Sequence, residues 1–549
     1  MRRYFWWCPG GLVALLILSA TLGPLAALLK QPEIVSVLLW QDSYLVHVAW
    51  FSLKQATLST VLSLALAIPM ARALFHRQFP GRTLLLHLFG LSQVLPVIIA
   101  LFGLVAVHGT QGWLQQLGLQ AGIKLPDYLF GLSGILLAHV FFNMPLATRW
   151  LVQSLEQIPQ NHWRQAAQLD IPEWQRFRLL EWPAIRRLLP GLASLIFMLC
   201  FTSFTIVMAL GGGPQATTLE VAIYQALRFD FDLAAAGQLA CWQLLLGTLI
   251  VISYGWFKPV AATLTTTSQP YPHYQKNTFL PDLLSLLPGL FLFLPPLSAI
   301  FWFGLQAVLN HAWQQELLLA TTWQSLQIAI AAGSLALSLS TGLLLSSRHM
   351  TIRLRAPRSG KLLTGVGSLI LLIPTSVLST GLFILLQEHV DLFSNGFWLI
   401  IMLNALAALP YSIRALQEPM QDLLLHYDRL SDSLGLTGFA RLRLLEWPLL
   451  CRPAGRALAL GMIFSLGDLA AIAMFGNDEL QTLPCLLCQQ LGHYQMRAAS
   501  VTALILLLLC MTLLWLAVWL PSRNEHREPP SLLEQACYLL KNCRPVVRG

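Results

Sequence analysis

Two stretches of the chain carry the same polar device. Arg176-Phe177-Arg178-Leu179-Leu180-Glu181-Trp182-Pro183 and Arg441-Leu442-Arg443-Leu444-Leu445-Glu446-Trp447-Pro448 agree at seven of eight positions, 265 residues apart. A short segment ends six residues before each leading Arg: Arg164-Gln165-Ala166-Ala167-Gln168-Leu169-Asp170 and Arg429-Leu430-Ser431-Asp432-Ser433-Leu434-Gly435. The chemistry such residues offer is recognition. A device placed identically in two halves suits a partner with two-fold symmetry. The other polar groups of note sit inside apolar runs: His139, Asn143, Ser203, Asn404 and Asp468. A carboxylate at mid-bilayer costs about 2.5–3.5 kcal/mol on insertion scales, so Asp468 belongs in a bundle interior or a water-filled path. It either partly neutralises a passing cation or makes a helix–helix hydrogen bond. Ser203 is its counterpart at the same offset, and Asn404 is that of His139. For His139, Asn143 and Asn404 interhelical hydrogen bonds are the first reading and pathway lining the second.

Several chemistries find no residues. The chain has no G-x-x-x-x-G-K-[S/T] to cradle phosphates. His-Glu-x-x-His and Gly-x-Ser-x-Gly are missing as well, so no catalytic cluster marks a membrane enzyme. Cys485 and Cys488 have redox or zinc spacing but no second pair to complete a site. Cys200, Cys241 and Cys510 fall in apolar runs, where the thiol acts as a small hydrophobe. No cofactor or metal is expected on this chain, and ATP phosphates find no cradle of this kind on it.

The elements that must hold these residues are membrane helices. Of 549 residues 56% are hydrophobic and 11% charged, with mean hydropathy +0.63, against about 25% charged in a soluble domain. Apolar runs near the roughly 20 residues of a spanning helix fall at 11–29, 53–74, 87–108, 131–152, 190–210, 238–257, 282–305, 323–346, 363–387, 396–416, 454–475 and 499–520. The first follows Arg2 and Arg3 without a convincing cleavage site, and reads as an uncleaved span. The net charge of +9 lies in the loops, which is a topology signal and speaks against nucleic acid. With twelve spans and both termini in the cytoplasm, only Lys30, Lys54, Lys124, Arg228 and Arg497 of the 34 Lys and Arg fall outside. Both repeated loops then face the cytoplasm.

The halves also match at Pro145 and Pro410, Arg149 and Arg414, Gly211 and Gly476, Thr217 and Thr482, and Gln225 and Gln490, while Pro96 faces Pro374 at an offset of 278. The expected fold is all-α and integral to the lipid bilayer, with about twelve transmembrane helices in two homologous six-helix halves. The halves are 1–257 and 282–520, joined by a cytoplasmic linker at 258–281 and followed by a polar tail at 521–549 of no readable function. Gly211-Gly212-Gly213-Pro214 should break the chain at the outer mouth.

In the first loop a short helix over 163–169 and a second over 173–182, carrying Trp174, Phe177 and Leu180, are predicted, and the second loop should repeat the plan. Gly435 stands where a helix end needs a left-handed residue; Asp170 can take that conformation only at some cost.

Here the two loops resemble the Glu-Ala-Ala loop motif of permease subunits of bacterial ABC importers, since Asp170 to Pro183 and Gly435 to Pro448 each keep that motif's spacing of thirteen. Arg164 and Arg429 replace its Glu, and Asp170 replaces its Gly, which leaves room for a weaker dock at the first half. The resemblance implies the type I importer permease fold in a bacterial inner membrane. It also implies coupling helices docked on two ATPase copies through Arg164, Gln165, Ala166, Ala167, Asp170, Arg429, Ser431, Asp432, Ser433 and Gly435. The run Gly211–Leu227, with Trp40–Tyr44 and Phe475–Asp478, is similar to thiamine-carrying members. That implies thiamine, with or without phosphates, as cargo and a periplasmic thiamine-binding protein as donor. Ferric iron is the alternative cargo, and an ion-coupled secondary transporter using Asp468 is the alternative class.

Overall fold

The computed structural model describes residues 8–30, 43–255, 279–310, 315–352 and 356–522, apart from residues 93, 390, 393, 437 and 478. The linker over 256–278, the tail beyond 522, Arg2, Arg3, Trp40 and Asp478 lie outside the described residues. Among those described, the chain is helix and turn, without a strand. The first half supplies α1 (Cys8–Lys30), α2 (Ser43–His76), α3 (Arg82–Leu91), α4 (Val97–His108), α5 (Trp113–Gln120) and α6 (Leu132–Glu156). It continues with α7 (Gln160–Gln168), α8 (Glu173–Arg176), α9 (Trp182–Phe201), α10 (Thr205–Leu210), α11 (Leu219–Arg228) and α12 (Leu233–Gly255). The second half supplies α13 (Phe279–Leu309), α14 (Gln315–Ile352), α15 (Pro357–Ser368), α16 (Thr375–Leu386) and α17 (Gly396–Ser433). After it come α18 (Gly438–Arg441), α19 (Trp447–Gly467), α20 (Ala470–Phe475), α21 (Leu483–Gly492) and α22 (Met496–Ser522).

Eleven helical stretches among the described residues are long and apolar enough to cross a membrane; a twelfth, Thr375–Leu386, is apolar but shorter. Proline chemistry explains the shortfall. The span expected at 363–387 is interrupted, because Pro374 has no N–H to give and disfavours helix in the residue before it. It stands at the N-cap of α16, after a 3-10 turn over Leu369–Leu372. Pro96 does the same at the N-cap of α4, five residues after α3 ends. Pro69 and Pro410 instead lie inside the long helices α2 and α17. The spans expected at 190–210 and 454–475 break too, between α9 and α10 and between α19 and α20.

Each half keeps a core in which its second and fourth spans pack together, α2 with α6 and α14 with α17, and the fifth span, α9 or α19, closes the group. The first helices do not join their own core. α1 packs on α14, α15 and α16, and α13, which also packs on α22 of its own half, reaches across to α2, α4 and α6. Two glycines 278 residues apart make these contacts possible. A Cβ on Gly103 of α4 would lie 2.5 Å from the carbonyl oxygen of Pro296 in α13, and one on Gly381 of α16 would lie 2.5 Å from that of Pro24 in α1. Backbones approach this closely only where one side has no side chain.

The halves also agree in a detail of their later loops. Leu219 N donates to Ser52 Oγ at 2.9 Å, and Leu483 N to Ser325 Oγ at 2.8 Å. Thr218 and Thr482 both hold the N-cap before these residues in extended backbone. The structural partner of Thr482 is therefore Thr218, not Thr217. The segment from Gly211 to Thr218 is one residue longer than that from Gly476 to Thr482, which shifts the register by one.

Candidate docking face and central seam

The first candidate segment forms a short helix, α7, which starts three residues ahead of the one expected over 163–169, opened by Pro159 and closed after Gln168. Asp170 takes φ +45° and Gly435 φ +65°, so both copies turn through the left-handed region despite the different residue. The same bond closes each turn: Ile171 N donates to Ala166 O at 3.1 Å, and Leu436 N to Ser431 O at 2.9 Å. The second copy differs upstream, because α17 runs unbroken from its span to Ser433.

Helical periodicity sorts the candidate residues. Arg164, Gln165, Ala167, Asp170, Ser433 and Gly435 are exposed, whereas Ala166 and Ser431 are turned inward and buried. Arg429 and Asp432 ride on the last turns of α17, but their side chains lie outside those described. Leu169 and Leu434, one position before the turn in each copy, are 73% and 53% exposed. Two matching apolar tips flanked by polar side chains form a surface that a groove on another protein can take.

Behind each tip is a buried carboxylate. The predicted second helix is not separate: α8 passes through a π turn at Phe177–Glu181 straight into α9, and α18 passes through one at Leu442–Glu446 into α19. The extra residue of a π turn re-aims the side chains around it. Glu181 lies there almost fully buried, accepting from Arg72 Nε at 2.5 Å and His76 Nε2 at 2.9 Å, both on the end of α2. Glu446, equally buried, accepts from Arg348 Nη2 at 2.7 Å, on α14, and from Arg441 Nε at 2.9 Å. Removing one partner of such a buried pair costs about 3–5 kcal/mol, because the other charge is left uncompensated. The first clamp reaches α7 directly. The ring of Trp163 in α7 lies 5.6 Å from that of Phe75 and 6.2 Å from that of His76, and the Arg72 guanidinium sits 4.4 Å over Phe177. Nothing in the sequence alone assigns the two glutamates a task. One signal was available: an acid kept in both copies of a loop otherwise rich in Arg.

The candidates within the spans separate into two groups. His139 is buried between α2 and α9, its Nδ1 2.9 Å from Ser59 Oγ and its Nε2 2.9 Å from Ser203 Oγ. Ser203 Oγ donates to Cys200 O, so it accepts from His139 Nε2–H, and Ser59 donates to Nδ1. Asn143 Nδ2 donates to Cys200 Sγ at 3.3 Å, and Asn404 Nδ2 to Ser465 Oγ at 2.9 Å. His139, Asn143 and Asn404 thus join the fourth span of a half to its fifth. Ser203 and Asp468 stand at the breaks, between α9 and α10 and between α19 and α20, and both are partly exposed. Asp468 Oδ2 accepts from Ala471 N at 3.0 Å, capping α20. Its neighbour Gly467 lies against Pro96, where a Cβ would sit 3.3 Å from the proline Cβ. The break in one half's fifth span therefore meets the break in the other half's third.

Further bonds cross between halves. Ser376 Oγ donates to Gln243 Oε1 at 3.3 Å, on a Gln243 whose Nε2 donates within the first half to the buried Glu220 Oε1, and Arg228 Nη2 donates to Gly476 O at 2.9 Å.

The family described as binding-protein-dependent transport system inner membrane component matches this chain twice, over 63–261 and 338–526. The thiamine transport system permease protein of Salmonella typhimurium is 44% identical over 526 residues, covering 95% of this chain and 98% of that protein. The protein of the same name from Escherichia coli K12 is 44% identical over 94% of this chain and 97% of its own length. That of Haemophilus influenzae is 42% identical over 85% and 87%.

Proposed function

Since this chain belongs to the inner membrane components of binding-protein-dependent transport systems, we propose that it is a fused, two-half permease of an ABC importer for thiamine. The observation that carries this reading is likeness over nearly the whole length to thiamine permeases, together with two docking tips at matching places. A thiamine-binding protein delivers cargo at the outer mouth, and two copies of an ATPase subunit seat on the Leu169 and Leu434 tips. Both termini and both tips lie in the cytoplasm, a reading that the distribution of Lys and Arg supports. The exposed members of the two segments, Arg164, Gln165, Ala167, Asp170, Ser433 and Gly435, flank the contact, with Arg429 and Asp432 beside them. Asp468, at the meeting of the broken spans, offsets the positive charge of the passing thiazolium ring.

The test uses Ala167→Arg with Leu434→Arg, both on exposed positions, so that folding is spared. Gly435→Arg serves less well, because it would also strain a turn at φ +65°. The double variant should be made in normal amount yet lose ATPase co-purification and thiamine uptake. Undiminished co-purification would refute the docking assignment. Uptake inhibited by excess ferric iron and not by excess thiamine would refute the cargo.

A further inference from the structure

Nothing in the docking surface itself explains how a push on the two tips reaches the centre of the bundle. The buried glutamates supply the connection. We infer that Glu181 and Glu446 are positioning residues of the transport cycle, each locking the end of its half's second span to the start of its fifth so that both follow the docking segment as one body. This rests on the reading of the chain as an ATP-driven permease.

The geometry supports the inference in both halves. Glu181 ties the α8–α9 junction to Arg72 and His76 at the end of α2, and Trp163 of the docking helix packs on Phe75 and His76 of that same turn. Glu446 ties the α18–α19 junction to Arg348 on α14. The registers correspond: with Ser52 answering Ser325 at 273, Arg348 falls at the place of residue 75, beside His76. A buried carboxylate cannot leave its cations without reaching water, so the joined elements shift together. The fifth spans then carry that shift to their breaks at Ser203 and Asp468, the second of which lies beside the contact of Gly467 with Pro96 in the other half. The clamps are built from different residues, with His76 and Arg72 in one and Arg348 and Arg441 in the other, yet the acid and its burial are the same. Retention of the function through a change of partners points to the lock rather than to a particular pair.

The experiment uses the full complex in proteoliposomes, with its ATPase and binding protein, and compares Glu181→Gln, Glu446→Gln and the double variant with Glu181→Asp and Glu446→Asp. ATPase co-purification should persist in all of them as in wild type; its loss in the Gln variants alone would overturn the proposal, whereas its absence in wild type as well would refute the docking reading. Thiamine moved per ATP hydrolysed should fall by about tenfold or more in the double Gln variant, since small misplacements of a working assembly cost up to about a hundredfold. The Asp variants, which keep the charge, should recover part of that ratio. An unchanged ratio in the double Gln variant would overturn the proposal. A second measurement needs no change at the clamp. Spin labels at Asn161 and Gln78, both exposed, should keep their separation when vanadate traps the ATPase, while the separation from Asn161 to Lys361 in the other half changes. A change in the first separation as large as that in the second would also overturn it, whatever becomes of the Gln variants.

Discussion

At the scale of single residues, Asp468 carries two tasks that can be pulled apart. Its carboxylate caps α20 through Ala471 N, and it stands where broken spans from the two halves meet. Asn caps a helix about as well as Asp, whereas Ala forfeits about 0.5–2 kcal/mol. Asp468→Asn should therefore leave the thermal unfolding of the purified protein near wild type while thiamine uptake drops, because only the charge is gone. Asp468→Ala should lower both. Normal uptake by the Asn variant would reduce Asp468 to a cap. His139 was legible in kind, as a polar group in an apolar run that had to find hydrogen-bond partners. That Ser59 and Ser203 would be those partners was not, since they lie 80 and 64 residues away along the chain.

At the scale of elements, the docking loops could be read because charged residues in a membrane chain are few and these recur in order. The left-handed turn after each segment was readable from Gly435 and from spacing, and Asp170 follows it at φ +45°. Which proline would break a helix was not. Pro96, Pro159 and Pro374 cap helices, while Pro69, Pro410 and Pro419 lie inside them. The outcome depends on whether neighbouring helices satisfy the freed carbonyl, which sequence does not state. The glycines of the exchanged contacts give a prediction at this scale. Gly103→Val and Gly381→Val place side chains against the carbonyls of Pro296 and Pro24, which are backbone and cannot swing aside. Each should lower the yield of folded, monodisperse permease in detergent. Gly191→Val, where a Cβ meets nothing within 4 Å, should not, and equal loss at all three sites would show that the close approach is not what matters.

At the scale of the whole molecule, the two sequence halves do not fold as neighbours side by side. Each lends its first helix to the other. Periodicity could not reveal this, because an apolar helix shows the same pattern whichever core it meets. In lipid no hydrophobic gain drives helices together, so close packing and weak backbone contacts must hold the exchanged helices. The consequence is testable by cutting the chain. Residues 1–257 and 258–549, made as two polypeptides, should co-purify and still move thiamine with the ATPase present, since α1 and α13 each stay joined to their own piece and reach across. Trimming residues 1–31 from one piece, or 258–310 from the other, should weaken recovery of the pair, because one clasp remains in each case. Trimming both should abolish it, although α11 and α12 still have α16 to pack on. If the doubly trimmed pieces were recovered together as well as the intact ones, the central contacts alone would hold the halves, and the exchanged helices would be passengers on an interface that does not need them.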